Sequence, residues 1–238
     1  MGFFDFNRAL VRTAPASVVN GLRAVDAGAP NFDGVRAEQA AYVAALEAAG
    51  ARVEHLPALE AFPDSIFVED AALVFAHAAI VLRPGAPSRR GEADAIAPAL
   101  AERFERVLTL REGTVEGGDV LATPRGVFIG VSARTSPEGA AALLRLLAEI
   151  GLSGRAVATP AGVLHFKSDC SMLDEETVLA TSALAASGVF DGFRRVLTPA
   201  GEAAAANAIR VGASVLISDA YPATAQLLAS LGYAVTPL

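Results

Sequence analysis

The sequence predicts an α/β chain arranged as a ring of blades, on three observations. A helix leading into a short strand recurs five times along the 238 residues, with Gly50, Gly151 and Gly232 as stops in three of the units. Paired apolar arms that read as β-hairpins link those units. A polar residue stands near the start of each hairpin's first arm. One helix–strand unit with a hairpin cannot bury its own apolar face, so repetition every roughly 40 to 60 residues implies stacking into a closed ring. Periodicity alone leaves an ordinary α/β sheet with antiparallel edges as the alternative.

The elements follow in order. Residues 8–12 alternate as a short strand and break at Pro15. Residues 15–32 are interrupted by Gly21, Gly28 and Pro30 and read as loop, ending at Asp33 as an N-cap. A helix is expected over 35–49, with Val35, Tyr42, Val43 and Leu46 at helical spacing and Gly50 as its stop. Residues 52–56 then alternate as a strand.

The same unit returns as helix 92–104, with Pro98 inside it, and strand 106–110. Ser136, Pro137 and Glu138 give an N-cap, a first-turn proline and a first-turn acid for a helix that ends at Gly151. A strand reaching Pro160 follows. Helix 182–193 with strand 195–199, and helix 222–231 with strand 233–237, complete the set. Hairpin arms are expected at 66–74 with 79–83, 119–122 with 126–131, 163–172 with 177–181, and 204–210 with 214–218.

Composition narrows the function classes. The chain is 53% hydrophobic and 19% charged, which marks a folded globular protein. A formal charge of −7 argues against nucleic acid and suits a cationic small molecule. One cysteine excludes an internal disulfide framework and fits a reducing, cytoplasmic compartment. Residues 1–6 carry no signal-peptide pattern, and the longest apolar run, 71–82, is too short to span a bilayer. Neither a membrane nor a nucleic acid is therefore an expected partner.

The candidate site centres on Val115-Glu116-Gly117-Gly118-Asp119-Val120-Leu121. Glycine supplies positive φ or close backbone approach, so the pair allows another group to lie against the main chain. A β-bulge with solvated acids is the plainer reading. Equivalent turns elsewhere carry Asp64, Glu69 and Asp70, then His165, then Asn207. In a ring these positions converge on an axial pocket, where carboxylates and a histidine suit a bound cation and acid/base work. Taken alone, His165 fits a core histidine equally well. His55, His77 and His165 lack zinc-site spacing, so no metal is expected, and no P-loop or dinucleotide fingerprint is present. On one strand, His165 and Cys170 would lie about 16 Å apart and face opposite ways, which makes Cys170 a packed core thiol. Arg89 and Arg134 occupy matching loops of adjacent units and suit bidentate carboxylate capture, against the plainer reading of solvated surface arginines.

Seven stretches in order carry a resemblance. They are Arg12-Thr13 with Asn20-Gly21-Leu22, Phe62-Pro-Asp-Ser-Ile-Phe-Val-Glu-Asp70, Arg83-Pro-Gly-Ala-Pro-Ser-Arg-Arg-Gly-Glu92, Gly113-Thr-Val-Glu-Gly-Gly-Asp119, Ser132-Ala-Arg134, Leu164-His-Phe-Lys167 and Ala205-Ala-Asn-Ala208. Together they resemble the dimethylarginine dimethylaminohydrolases, of the pentein group of guanidine-modifying enzymes. The resemblance implies a pentein fold, a five-bladed α/β propeller of ββαβ units, over residues 1–238 as one domain. It implies hydrolysis of methylated arginines to citrulline, with no metal or organic cofactor. His165, Glu116 and Asp70 would be the catalytic group, with His165 as general acid and then base. Asp70 and Glu116 would hold the guanidinium beside Glu69 and Asp64. Arg89 and Arg134 would take the α-carboxylate, and the main chain of Leu22, in a mobile loop, the amino-acid end. A homodimer is among the partner expectations.

The family's nucleophile is a cysteine near the C-terminus, and no residue after Cys170 is a cysteine. The expectation is therefore a truncated, inactive chain whose last blade is incomplete. Arginine deiminase is the enzymatic alternative, although the acid it carries two residues after its histidine is Lys167 here. An inactive binding protein for arginine analogues is the alternative from another class.

Overall fold

The computed structural model describes residue 4, residues 6–23, residue 28 and residues 30–238. Most of the 1–6 stretch, and part of the predicted 15–32 loop, lie outside the described residues. The first unit is β1 (Arg8–Arg12), α1 (Phe32–Ala48) and β2 (Arg52–Leu56), with β1 and β2 parallel. The second is β3 (Ala72–Val74), β4 (Ala78–Val81), α2 (Arg90–Ala101) and β5 (Arg106–Thr109). The third is β6 (Val120–Thr123), β7 (Gly126–Val131), α3 (Pro137–Glu149) and β8 (Gly154–Ala158). The fourth is β9 (Cys170–Met172), β10 (Thr177–Ala180), α4 (Ser182–Ala186) and β11 (Arg194–Leu197). The fifth is β12 (Ile209–Val211), β13 (Ser214–Ile217), α5 (Pro222–Ser230) and β14 (Ala234–Pro237).

In units two to five the hairpin pairs antiparallel, and its second strand pairs parallel with the strand after the helix. This is the ββαβ repeat the periodicity predicts. Five apolar clusters join neighbouring units in turn. Leu56 packs with the second unit, Ile80 and Leu82 with the third, Leu121 and Phe128 with the fourth, and Leu173 and Leu179 with the fifth. Val211 and Leu216 then pack against Ala45, Leu46 and Ala51 of the first unit, which closes the ring. Among the described residues, the sheet with two strands is β1–β2. The last sheet, expected to be the incomplete one, has three strands because β13 pairs on both sides.

Local chemistry explains the best-predicted helix. Ser136 Oγ accepts the Gly139 N–H at 3.0 Å and Pro137 sits at the first helical position. Ala140, Leu143 and Leu147, at helical spacing, are wholly buried.

Three expectations change. The cap of α1 is Asn31, whose side chain accepts from the Asp33 N–H, so the helix starts before Asp33. Helix 182–193 shrinks to Ser182–Ala186, because Gly188 (φ 76°) and Gly192 (φ 91°) take left-handed backbone. That turn brings Phe190 and Phe193 onto Phe128 and Phe166, with ring centroids 5.9 to 6.3 Å apart. The long first hairpin arms are really 3-10 turns followed by three-residue strands, at Val68–Ala71, Phe166–Ser168 and Ala203–Ala206. His165 and Cys170 therefore do not share a strand.

Candidate active site

The same 3-10 turns build the site. Each precedes the first hairpin strand of its unit, so the ring brings them together at one end of the sheets. Val68–Ala71 carries Glu69 and Asp70. Glu116 precedes Gly117–Asp119, His165 precedes Phe166–Ser168, and Asn207 follows Ala203–Ala206. Asp70, Glu116 and His165 converge, with one ligand-capable atom from each lying within 4.8 Å of the others.

The glycine pair makes that approach sterically possible. Neither glycine has positive φ. A Cβ on Gly117 would stand 1.9 Å from the Glu69 carbonyl oxygen, and one on Gly118 would meet His165 Cγ at 2.9 Å and Asp70 Oδ1 at 3.0 Å. Of the two uses of glycine the sequence allowed, the fold takes close approach. The Gly118 N–H also donates to Asp70 Oδ1 at 2.7 Å.

Glu116 is fully buried, which would raise its pKa. The His165 bond, the Ala86 N–H and the Arg134 charge outweigh burial and hold the carboxyl at about 2. His165 Nε2 lies 2.8 Å from Glu116 Oε2, Ala86 N is 3.0 Å from Oε1, and Arg134 Nη1 is 3.3 Å from Oε1. Burial works against charge on His165 as well, yet Glu116, Asp70 and Asp119 together raise its pKa. With Nε2 committed to Glu116, Nδ1 is the nitrogen left for proton exchange.

Asp70 is also enclosed. Its Oδ2 accepts from Arg89 Nη1 at 2.5 Å. Arg89 is only 4% exposed, and its Nε and Nη2 donors reach Glu92 and the carbonyls of Asp64 and Phe67. The sequence placed Arg89 with Arg134 as an open carboxylate clamp. In the fold Arg134 is the looser of the two, and most of the Arg89 fork is already taken by protein acceptors. Asp64 accepts the Leu22 N–H at 2.9 Å and so holds the main chain at Leu22. Lys167 Nζ lies 2.8 Å from Glu69 Oε2, and its charge lowers the Glu69 pKa.

These residues line a cavity of about 250 Å³: Leu22, Asp64, Glu69, Asp70, Arg89, Arg134 and His165 face it, while Glu116 lies beneath. A larger cavity of about 350 Å³, bordered by Asp169, Thr181 and Thr198, has a single acid. That acid already accepts the Thr181 hydroxyl, so the convergent charges lie in the smaller cavity. Asp119, read as one of the converging acids, stands behind it. Its oxygens accept from Ser132, Thr135 and the Phe166 N–H, which fastens the His165 turn. Asp70, Glu116 and His165 are close enough to share a metal ion. Arg89 and Arg134 already contact two of them, an arrangement better suited to a diffuse cation with several N–H donors. Phe67 and Leu164 at the mouth, and Glu92 behind Arg89, were not foreseen. Only the spacing of Glu92, three residues after Arg89 at a helix start, could have signalled its role.

The arginine deiminase family model matches residues 33–210. The dimethylarginine dimethylaminohydrolase of Pseudomonas aeruginosa is 37% identical over 237 residues, covering 97% of this chain and 91% of that protein. The chain belongs to the dimethylarginine dimethylaminohydrolase family. Another dimethylarginine dimethylaminohydrolase, from Streptomyces coelicolor, is 38% identical over 81% of this chain and 74% of its own length. The fold agrees: a cysteine-to-serine variant of the Pseudomonas dimethylarginine dimethylaminohydrolase, solved with citrulline, superposes with a TM-score of 0.95. That comparison has 36% identity and covers 99% of this chain and 92% of the other. Among the described residues, no helix is long and apolar enough to cross a membrane.

Proposed function

We propose that this protein hydrolyses Nω-methylated arginines to citrulline and methylamines. The observation that carries the reading is the meeting of Asp70, Glu116 and His165 within 4.8 Å, in a cavity that also exposes Arg134. Asp70 and Glu116 offset the guanidinium charge, with Asp64 and Glu69 beside them. Arg134 takes the α-carboxylate, assisted by the one Arg89 Nη1 hydrogen not held by Asp70, and the Leu22 main chain meets the amino-acid end. A thiolate adds to the guanidinium carbon, and protonated His165 gives its proton to the departing dimethylamine. His165 then takes a proton from water, which adds to the same carbon and expels the thiolate, leaving citrulline. The citrulline bound to the Pseudomonas relative supports this product. The scheme calls for no metal or organic cofactor.

Cys170 is not the nucleophile in this reading. It is 1% exposed, its Sγ–H donates to the Phe166 carbonyl at 3.3 Å, and burial pushes its pKa up. The thiol is proposed to come from outside residues 1–238, which together form one propeller domain. Residues 1–238 are then expected to bind dimethylarginine without releasing citrulline, and Cys170→Ala to bind it equally well. Calorimetry and a citrulline assay check this. Failure to bind dimethylarginine overturns the function, and citrulline release abolished by Cys170→Ala makes Cys170 the nucleophile.

Methylated substrates are favoured over arginine because Lys167 occupies Glu69, which leaves fewer free acids for two unsubstituted terminal nitrogens. Binding of arginine tighter than dimethylarginine would support the deiminase reading. Arg134→Ala is expected to weaken dimethylarginine and citrulline alike, by roughly ten- to a hundredfold, since both carry the carboxylate. Unchanged affinity for both would reassign Arg134. A homodimer, checked by light scattering, and a cytoplasmic location belong to the same proposal.

A further inference from the structure

Glu92 lies outside the cavity and takes no part in the scheme above, yet it is a carboxylate only 3% exposed. A charge so enclosed is costly unless it is paired. Its partner is Arg89: Nε lies 3.1 and 3.2 Å from the two Glu92 oxygens, and Nη2 lies 2.7 Å from Oε2. The same Nη2 reaches the carbonyls of Asp64 and Phe67, both at 3.1 Å. Only Nη1 points onward, to Asp70 Oδ2 at 2.5 Å. The Arg89 plane is therefore set by Glu92 and two carbonyls before it meets Asp70.

We propose that Glu92 is a positioning residue that governs how much negative charge Asp70 presents to a cationic ligand. The inference rests on the methylarginine reading of the same cavity. One arginine stands between two buried carboxylates, so its positive charge is shared. With Glu92 ionised, Arg89 neutralises Asp70 only in part, and Asp70 keeps field for a second cation. Without the Glu92 charge, the whole guanidinium charge falls on Asp70, and a cationic ligand competes with a resident one. A neutral ligand of the same shape does not sense that change.

The test compares calorimetric affinities of dimethylarginine and citrulline for the protein and for Glu92→Gln. Dimethylarginine affinity is expected to fall roughly tenfold while citrulline affinity holds, so the ratio of the two changes. Loss of both in equal proportion would mean that Glu92 merely supports packing or a carboxylate contact, and would overturn the proposal. An unchanged ratio with unchanged affinities would overturn it too. If the parent protein binds neither ligand, the methylarginine reading itself fails, which is a separate result. Should Glu92→Gln fail to fold by circular dichroism, Arg89→Lys tests the same link. A lysine point charge cannot bridge both acids, so the ratio should again change, and a constant ratio overturns the role of Glu92.

Discussion

Glu116→Gln is expected to lower the pKa of His165 and to weaken dimethylarginine binding by roughly a hundredfold, with a much smaller loss for citrulline. The amide keeps the shape of Glu116 but removes the charge next to Nε2, 2.8 Å away. Burial of His165 then loses its main opposition, and the imidazolium becomes easier to deprotonate. The stability consequence has a definite sign. Glu116 is held at about 2 in the fold against an ordinary value of 4.5, so its contribution is present above pH 4.5 and lost as pH falls through about 2. A shift of that size on a fully buried group corresponds to about 3 kcal/mol. His165 behaves oppositely: its raised value contributes stability below pH 6.5 that is lost as pH rises through the folded-state value. Histidine NMR titration of parent and variant, with acid denaturation of both, checks each part. An unmoved His165 titration would show that another group sets its charge.

Gly117→Ala is expected to cost about 3 kcal/mol, at the upper end for overpacking, and to lower the melting temperature by roughly 6 to 12 °C. The new Cβ would meet the Glu69 carbonyl oxygen at 1.9 Å, and that atom belongs to the backbone of the turn bearing Asp70. Backbone cannot rotate aside as a side chain can, so the two turns must separate. Affinity for dimethylarginine should fall with stability, because separating them moves Asp70 from Glu116. Gly34→Ala in α1 is the control, since among the described residues its Cβ meets only Asn31 Cβ at 3.8 Å. It should gain about 0.5 to 1 kcal/mol, as alanine does over glycine within a helix. Differential scanning calorimetry of both variants settles the comparison, and equal behaviour would show that the two turns are not packed as described.

The repeat, the hairpins and the cap of α3 follow from chemistry within a few residues, and the sequence determines them by itself. So does the set of polar groups at the turns, since a charged residue leading into an apolar strand must be paired wherever it folds. Partners are another matter. Glu116 and His165 are 49 residues apart, Asp70 and Gly118 are 48 apart, and no local pattern records either contact. Tertiary structure alone decided that Arg89 reaches Asp70, that Asp119 fastens the His165 turn, and that the two-stranded blade among the described residues is the first. It also shortened α4, because burying Phe190 and Phe193 together outweighed continuing the helix past Gly188. Local propensity is worth tenths of a kcal/mol per residue, whereas burying an aromatic ring or pairing an enclosed charge is worth several times that.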